Sequence, residues 1–359
     1  MNKQKRIRDY GIVIGHMPTG QNNALTDVPG VRVGHVTLSR GAVQTGVTAI
    51  IPHSGNLFRD KMRAAVHVVN GFGKTAGLVQ LEELGTLETP LLLTNTLSVG
   101  TVWEGLVRYM LDTNPEIGLT TGTVNPVVAE CNDGYLNAIR GGHVRPEHVA
   151  EAIRSAAAEF GEGACGAGTG MSCYGLKGGI GSASRRVSLQ AREYILGVLV
   201  LANFGRLPDF TLNGRRVGER IEQLQRERGE LSAIVTPLEN KEKGSVIIVI
   251  ATDIPASERQ LQRLARRATI GLARTGSFLG NGSGDIAMAF STANPVRHFE
   301  TEDIVVQQEF NENRIDDLFR SVAEATEEAV LNALVCAETT VGRDGNVRHS
   351  LREYLEALI

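Results

Sequence analysis

The chain has 359 residues, with 37 Lys and Arg against 40 Asp and Glu, and a formal charge of -3 leaves no basic excess for a nucleic-acid backbone. A hydrophobic fraction of 42% with 21% charged residues excludes a disordered chain, and the longest apolar run, Ile195 to Ala202, falls far short of the ~20 residues a membrane helix needs. Cys131, Cys165, Cys173 and Cys336 form no CxxC pair and the histidines lack HExxH spacing, so no disulfide framework, metal or other cofactor is expected, and the cytoplasm is the expected compartment.

The N-terminus carries the charges of an export signal, but Gly15, His16 and Pro18 interrupt its few apolar residues, so export is not expected. Ala64 to Val69 and Leu91 to Thr94 then read as strands. Pro146 opens a helix whose Val149, Ile153, Ala156 and Ala157 line one face. After the glycine-rich stretch Gly161 to Gly181 comes a strand from Tyr194 to Ala202. Arg226 to Gly244 is polar and turn-rich, a surface segment leading into a strand that begins at Ser245 and has its apolar run at Val246 to Ala251. A helix from Ser257 to Arg274, a strand from Ile286 to Phe290 and a helix near Glu312 to Leu334, with Ile315, Leu318, Phe319 and Val322 on one face, complete the pattern. This alternation predicts an α/β fold, and without internal repeats or linkers it predicts one compact domain over residues 1–359.

Three stretches carry possible chemistry. Gly166, Gly168 and Gly170 give G-x-G-x-G with no strand before them, and Lys177 precedes glycine, so neither dinucleotide fingerprint nor Walker loop is met. Close backbone packing is the better reading of those glycines, with Lys177 either orienting substrate or stabilising a turn. Gly244-Ser245 lies where the polar segment meets an apolar strand, and Ser283 and Asp285, two residues apart before another strand, can share one face. Attack of the Ser245 hydroxyl on the Gly244 carbonyl would cut the chain and give Ser245 a free α-amine, which at a reference pKa of ~7.7 to 8 can serve as its own base. Glycine at 244 tolerates the strained backbone this requires.

With these residues in view, the chain resembles the DmpA-like serine aminopeptidases, which include the L-aminopeptidase/D-esterases and β-peptidyl aminopeptidases. The resemblance rests on Leu25 to Val31 with Val33-Gly34-His35, Thr45 to Thr48, Asn70 to Gly73, and Leu93 to Thr96. It continues through Gly166 to Gly170, Lys177 to Gly181, Ala202 to Gly205, Gly244-Ser245 and Gly282 to Asp285. It implies a four-layer αββα sandwich like that of the N-terminal nucleophile hydrolases but with different connectivity. It also implies cleavage into residues 1–244 and 245–359 and assembly as a homo-oligomer, a tetramer of processed pairs. By position Ser245 is the nucleophile, and Ser283 and Asp285 hold the α-amine and relay its proton. Asn203, or alternatively Asn213, donates to the oxyanion, and Glu130 receives the substrate's free amine. The family more often has Thr where Cys131 follows that glutamate.

The implied substrates are small peptides, amides or esters with a free amine, and no membrane or nucleic acid is implied as a partner. Two other readings compete. One is an acyltransferase like the ornithine acetyltransferases, which cleave themselves before threonine. The other is a nonenzymatic small-molecule-binding or nucleotide-binding protein that uses the glycine-rich stretch.

Overall fold

The computed structural model describes residues 4–190, 192–230 and 243–359, so most of the expected surface segment from Arg226 to Gly244 lies outside the described residues. A first sheet joins β1 (Arg32–Arg40), β2 (Val43–Ile51), β5 (Leu91–Asn95) and β6 (Val127–Cys131) in that order. The second runs β4 (Thr86–Leu87), β3 (Asp60–Gly71), β10 (Gly282–Arg297), β9 (Lys243–Thr252), β8 (Arg192–Asn203), β7 (Gly179–Leu189). Two pairs are parallel, β5 with β6 and β9 with β10. Parallel neighbours need a crossover. The helices α2 (Val99–Thr113) and α5 (Glu258–Arg274) provide it.

Three apolar layers show how the sheets stack. Ile50, Leu91, Leu93, Val127 and Ala129 of the first sheet meet Val66, Leu199, Ile247, Val249 and Met288 of the second. The opposite face of the first sheet, with Val47, Ala49, Leu92 and Val128, packs on α2 through Val102 and Leu106 and on α3 (Glu147–Arg154) through Val149. The opposite face of the second packs on Leu261, Leu264 and Leu272 of α5 and on Val322, Ala325 and Ala329 of α6 (Ile315–Cys336). Helix, sheet, sheet, helix is the expected αββα order. Strand β9 shows why a continuous apolar run was needed: Ile247 and Val249 face the inner layer while Val246, Ile248 and Ile250 face the helices, all at 0% exposure. Each such side chain contributes about 1.5–3 kcal/mol by leaving water.

Several expected boundaries move. The Pro146 helix stops at Arg154, and Ala157, expected on its apolar face, instead exchanges backbone hydrogen bonds with Val33. A helix α4 (Gly218–Glu227) reaches into the start of the polar segment, and the strand carrying Ser245 begins at Lys243. Ser257 starts α5 as expected, its backbone N–H donating to Gln260 Oε1 at 3.1 Å. The long helix near residue 312 opens with a short 3-10 turn and runs on to Cys336. Among the described residues, no helix is long and apolar enough to cross a membrane.

Candidate active site

Ser245 sits near the start of the central strand β9, paired in register with Asn203 at the end of β8 on one side and with Gly284 of β10 on the other. Its Oγ donates to the carbonyl oxygen of Gly244 at 2.7 Å. Gly244 has φ +138°, and a Cβ there would lie 2.0 Å from the Asn203 carbonyl oxygen. Both the left-handed backbone and the contact require glycine. A Cβ on Gly284 would fall 2.6 Å from Gly73 N and 3.2 Å from Ser245 Oγ, so this second glycine lets the loop after β3 pass beside the serine hydroxyl.

Ser283 and Asp285 were expected just before a strand, but they lie within β10. Their two-residue spacing still puts them together, and Ser283 Oγ donates to Asp285 Oδ2. Asp285 Oδ1 accepts the backbone N–H of Val246, the residue after Ser245, at 3.2 Å. Asn70 was not expected to act here. From β3 its Nδ2 donates to Asp285 Oδ2 at 3.1 Å and to Ser283 Oγ at 3.3 Å, tying the pair to a third strand. The only sequence signal for it was the Asn70 to Gly73 motif.

Glu130 is no solvated loop charge. It belongs to β6, is 2% exposed, and its carboxylate accepts the Lys74 N–H at 2.9 Å and the Thr96 hydroxyl. A Cβ on Gly73 would stand 3.5 Å from Glu130 Oε1 and 3.6 Å from Gly284 Cα, so Glu130 and Ser245 both border the Gly73–Gly284 contact. Next to Glu130, the Cys131 thiol donates to the Ser245 carbonyl oxygen at 3.3 Å, and burial pushes it well above its ordinary pKa. It is a packing group joining the two sheets rather than a thiolate.

Asn203 and Asn213 separate cleanly. Asn203 Oδ1 accepts the Ser172 N–H at 2.8 Å, and its Nδ2 uses one of its two N–H groups to donate to the Asn132 carbonyl at 3.0 Å. Asn213 and Gly214, with φ of +47° and +78°, instead make the tight turn of the hairpin joining Thr211–Leu212 to Arg215–Arg216. Asn213 is exposed there and faces a cavity of about 720 Å³ lined by Arg267 and Arg274 of α5. Of the two, Asn203 is the one paired in register with Ser245.

The glycine-rich stretch is packed, not open. A Cβ on Gly168 would meet Gly163 O and Ile180 N at 2.6 Å, and one on Gly181 would meet Ala329 O of α6 at 2.0 Å. Lys177, also buried, donates to the carbonyl oxygens of Gly168, Met171 and Gly178 at 2.9, 3.0 and 2.8 Å, while burial pulls its pKa down to about 7. Of its two expected roles, holding a turn is the one seen. Among the described residues, Glu230, His349 and Glu353 bring three possible metal-ligand atoms within 4.8 Å of one another. His349 and Glu353 are already joined at 3.2 Å, and Glu230 accepts the Tyr354 hydroxyl at 2.5 Å.

The description of peptidase family S58 matches residues 23–348. The chain belongs to that family. As an S58 peptidase it is 41% identical over 358 residues to the β-peptidyl aminopeptidase BapA of Sphingosinicella microcystinivorans, covering 95% of this chain and 88% of that one. Among solved structures, the PH0078 protein from Pyrococcus horikoshii OT3 shares 50% identity over 98% of both chains with a TM-score of 0.91. The L-aminopeptidase D-Ala-esterase/amidase of Ochrobactrum anthropi, described as a prototype of the serine aminopeptidases and a new variant of the Ntn hydrolase fold, shares 36% identity. It covers 98% of this chain and 97% of its own, with a TM-score of 0.88. The protein is accordingly a serine aminopeptidase of the Ntn-hydrolase type, and the packed glycine-rich stretch removes the nucleotide-binding reading.

Proposed function

We propose that this aminopeptidase activates itself by cutting between Gly244 and Ser245 and then releases N-terminal residues from small peptides, amides or esters. The observation that carries the proposal is the Ser245 hydroxyl held against the Gly244 carbonyl, beside the buried Ser283–Asp285 pair and across the Gly73–Gly284 contact from Glu130. In processing, Ser245 Oγ bonds to the Gly244 carbonyl carbon, the C–N bond breaks, and the amide nitrogen takes the hydroxyl proton. Water then hydrolyses the ester, restoring the hydroxyl and leaving a carboxylate on Gly244. During turnover the neutral α-amine takes the Ser245 proton as Oγ attacks the substrate carbonyl, and the Asn203 N–H steadies the oxyanion. The leaving amine takes that proton, and water releases the acyl group. We further propose that processed pairs associate as a homo-oligomer, for which exposed Ile304, Val305 and Val306 offer an apolar strip.

Ser283 and Asp285 orient the α-amine in this scheme. Asp285→Asn is therefore expected to lower kcat more than it raises KM, Ser283→Ala to do the same, and the double variant to lose less than the product of the two. Independent multiplication of the losses in steady-state kinetics would exclude a shared proton path. Because the amine must be neutral, activity falls as pH drops through its pKa.

Glu130 decides the substrate requirement. Its carboxylate, already aligned by Lys74 N–H and Thr96, is the group for an incoming ammonium. Glu130→Gln should weaken binding by about 1.5–3 kcal/mol, and free aminoacyl p-nitroanilides should turn over while their N-acetylated forms do not. Equal turnover of acetylated and free substrates would defeat the aminopeptidase assignment of this site.

A further inference from the structure

Lys177 is one of the buried charged groups to which the mechanism gives no task. Lys177 is 0% exposed, and its Nζ lies within hydrogen-bonding distance of three carbonyls, those of Gly168, Met171 and Gly178, each of which takes one N–H when the amine is protonated. These carbonyls flank the turn that carries Ser172. The Ser172 backbone N–H is the donor that fixes Asn203 Oδ1 at 2.8 Å, while Gly178 N–H closes the turn on Met171 O at 3.0 Å. An ammonium satisfies all three carbonyls at once, which no uncharged side chain of similar length can do. The path from Lys177 through the turn to the Asn203 amide is thus continuous and made of short, directional bonds.

We propose that Lys177 is a positioning residue for acyl transfer, holding the 168–178 turn so that Ser172 N–H aims the Asn203 amide at the oxyanion. The proposal rests on the role given to Asn203 above. It assigns Lys177 no contact with substrate: Glu130 binds the amine from a different strand, so disturbing Lys177 alters the reacting geometry and leaves binding alone. Loss of the clamp lets the amide shift, and small misplacements of a stabilising donor cost rate steeply.

The test is a double-mutant cycle on purified protein with one aminoacyl p-nitroanilide, comparing Lys177→Gln, Asn203→Ala and the double variant, with thermal melting and intact mass alongside. Lys177→Gln is expected to lower kcat about tenfold with KM essentially unchanged, and to have no further effect when Asn203 is already alanine. A rise in KM alone, an unchanged kcat, or losses that multiply in the double variant would overturn the proposal. So would a Lys177→Gln chain that does not fold, because that marks a purely structural lysine. Failure of the Asn203 reading is seen separately: Asn203→Ala alone would then keep full kcat, and the Lys177 proposal would fall with it.

Discussion

Replacing Ser245 by alanine is expected to leave one uncut chain of 359 residues with no measurable aminopeptidase activity. In the proposed scheme the same hydroxyl is used twice. In the intact chain Oγ already lies 2.7 Å from the Gly244 carbonyl oxygen, and the glycine's φ of +138° is a conformation other residues avoid, so the bond to be cut is held in an unusual geometry. Alanine removes the attacking atom, so no ester forms and no α-amine is released. Loss of a nucleophile together with its base should reduce kcat on the order of 10⁴-fold or more. Ser245→Cys retains a nucleophile capable of the same acyl shift and is expected to be cut. Denaturing electrophoresis separates the outcomes, and an alanine variant that is cut between residues 244 and 245 would move the cleavage chemistry to another group.

Asn203→Asp is expected to lower kcat by about 10²–10³-fold with little change in KM. Asp preserves the oxygen that accepts Ser172 N–H but removes the N–H donors and adds charge where negative charge must develop. Asn203→Ala should show a similar kinetic loss and a lower melting temperature as well, because it leaves Ser172 N–H and the Asn132 carbonyl without their partner, at about 1–3 kcal/mol for each buried group. Steady-state kinetics showing a KM effect with kcat preserved would place Asn203 in substrate binding and not beside the oxyanion.

The parts of this arrangement that depend on local pattern were legible in the sequence. The apolar run after Ser245 announced a buried central strand, the two-residue spacing of Ser283 and Asp285 put both on one face, and Ser257 marked the start of its helix. Features that depend on contacts distant in sequence were not. Strand β6, which buries Glu130, was not among the expected strands, and the groups that hold the carboxylate come from Lys74 and Thr96. Asn70 gave no chemical signal of its own because its partners lie more than 200 residues away. Asn213 was attractive only by proximity in sequence to Asn203, whereas Asn213-Gly214 is turn chemistry. Likewise Lys177 was ambiguous until the three carbonyls around it were seen together. The family motifs bridged part of this gap by marking residues whose neighbours only the fold brings near.

The central claim is that the working enzyme begins a chain at Ser245. The direct measurement is intact mass, under denaturing conditions, of wild-type protein whose aminopeptidase activity has been established in the same preparation. The account predicts two polypeptides, one ending at Gly244 and one starting at Ser245. A fully active preparation containing only the uncut 359-residue chain would contradict it.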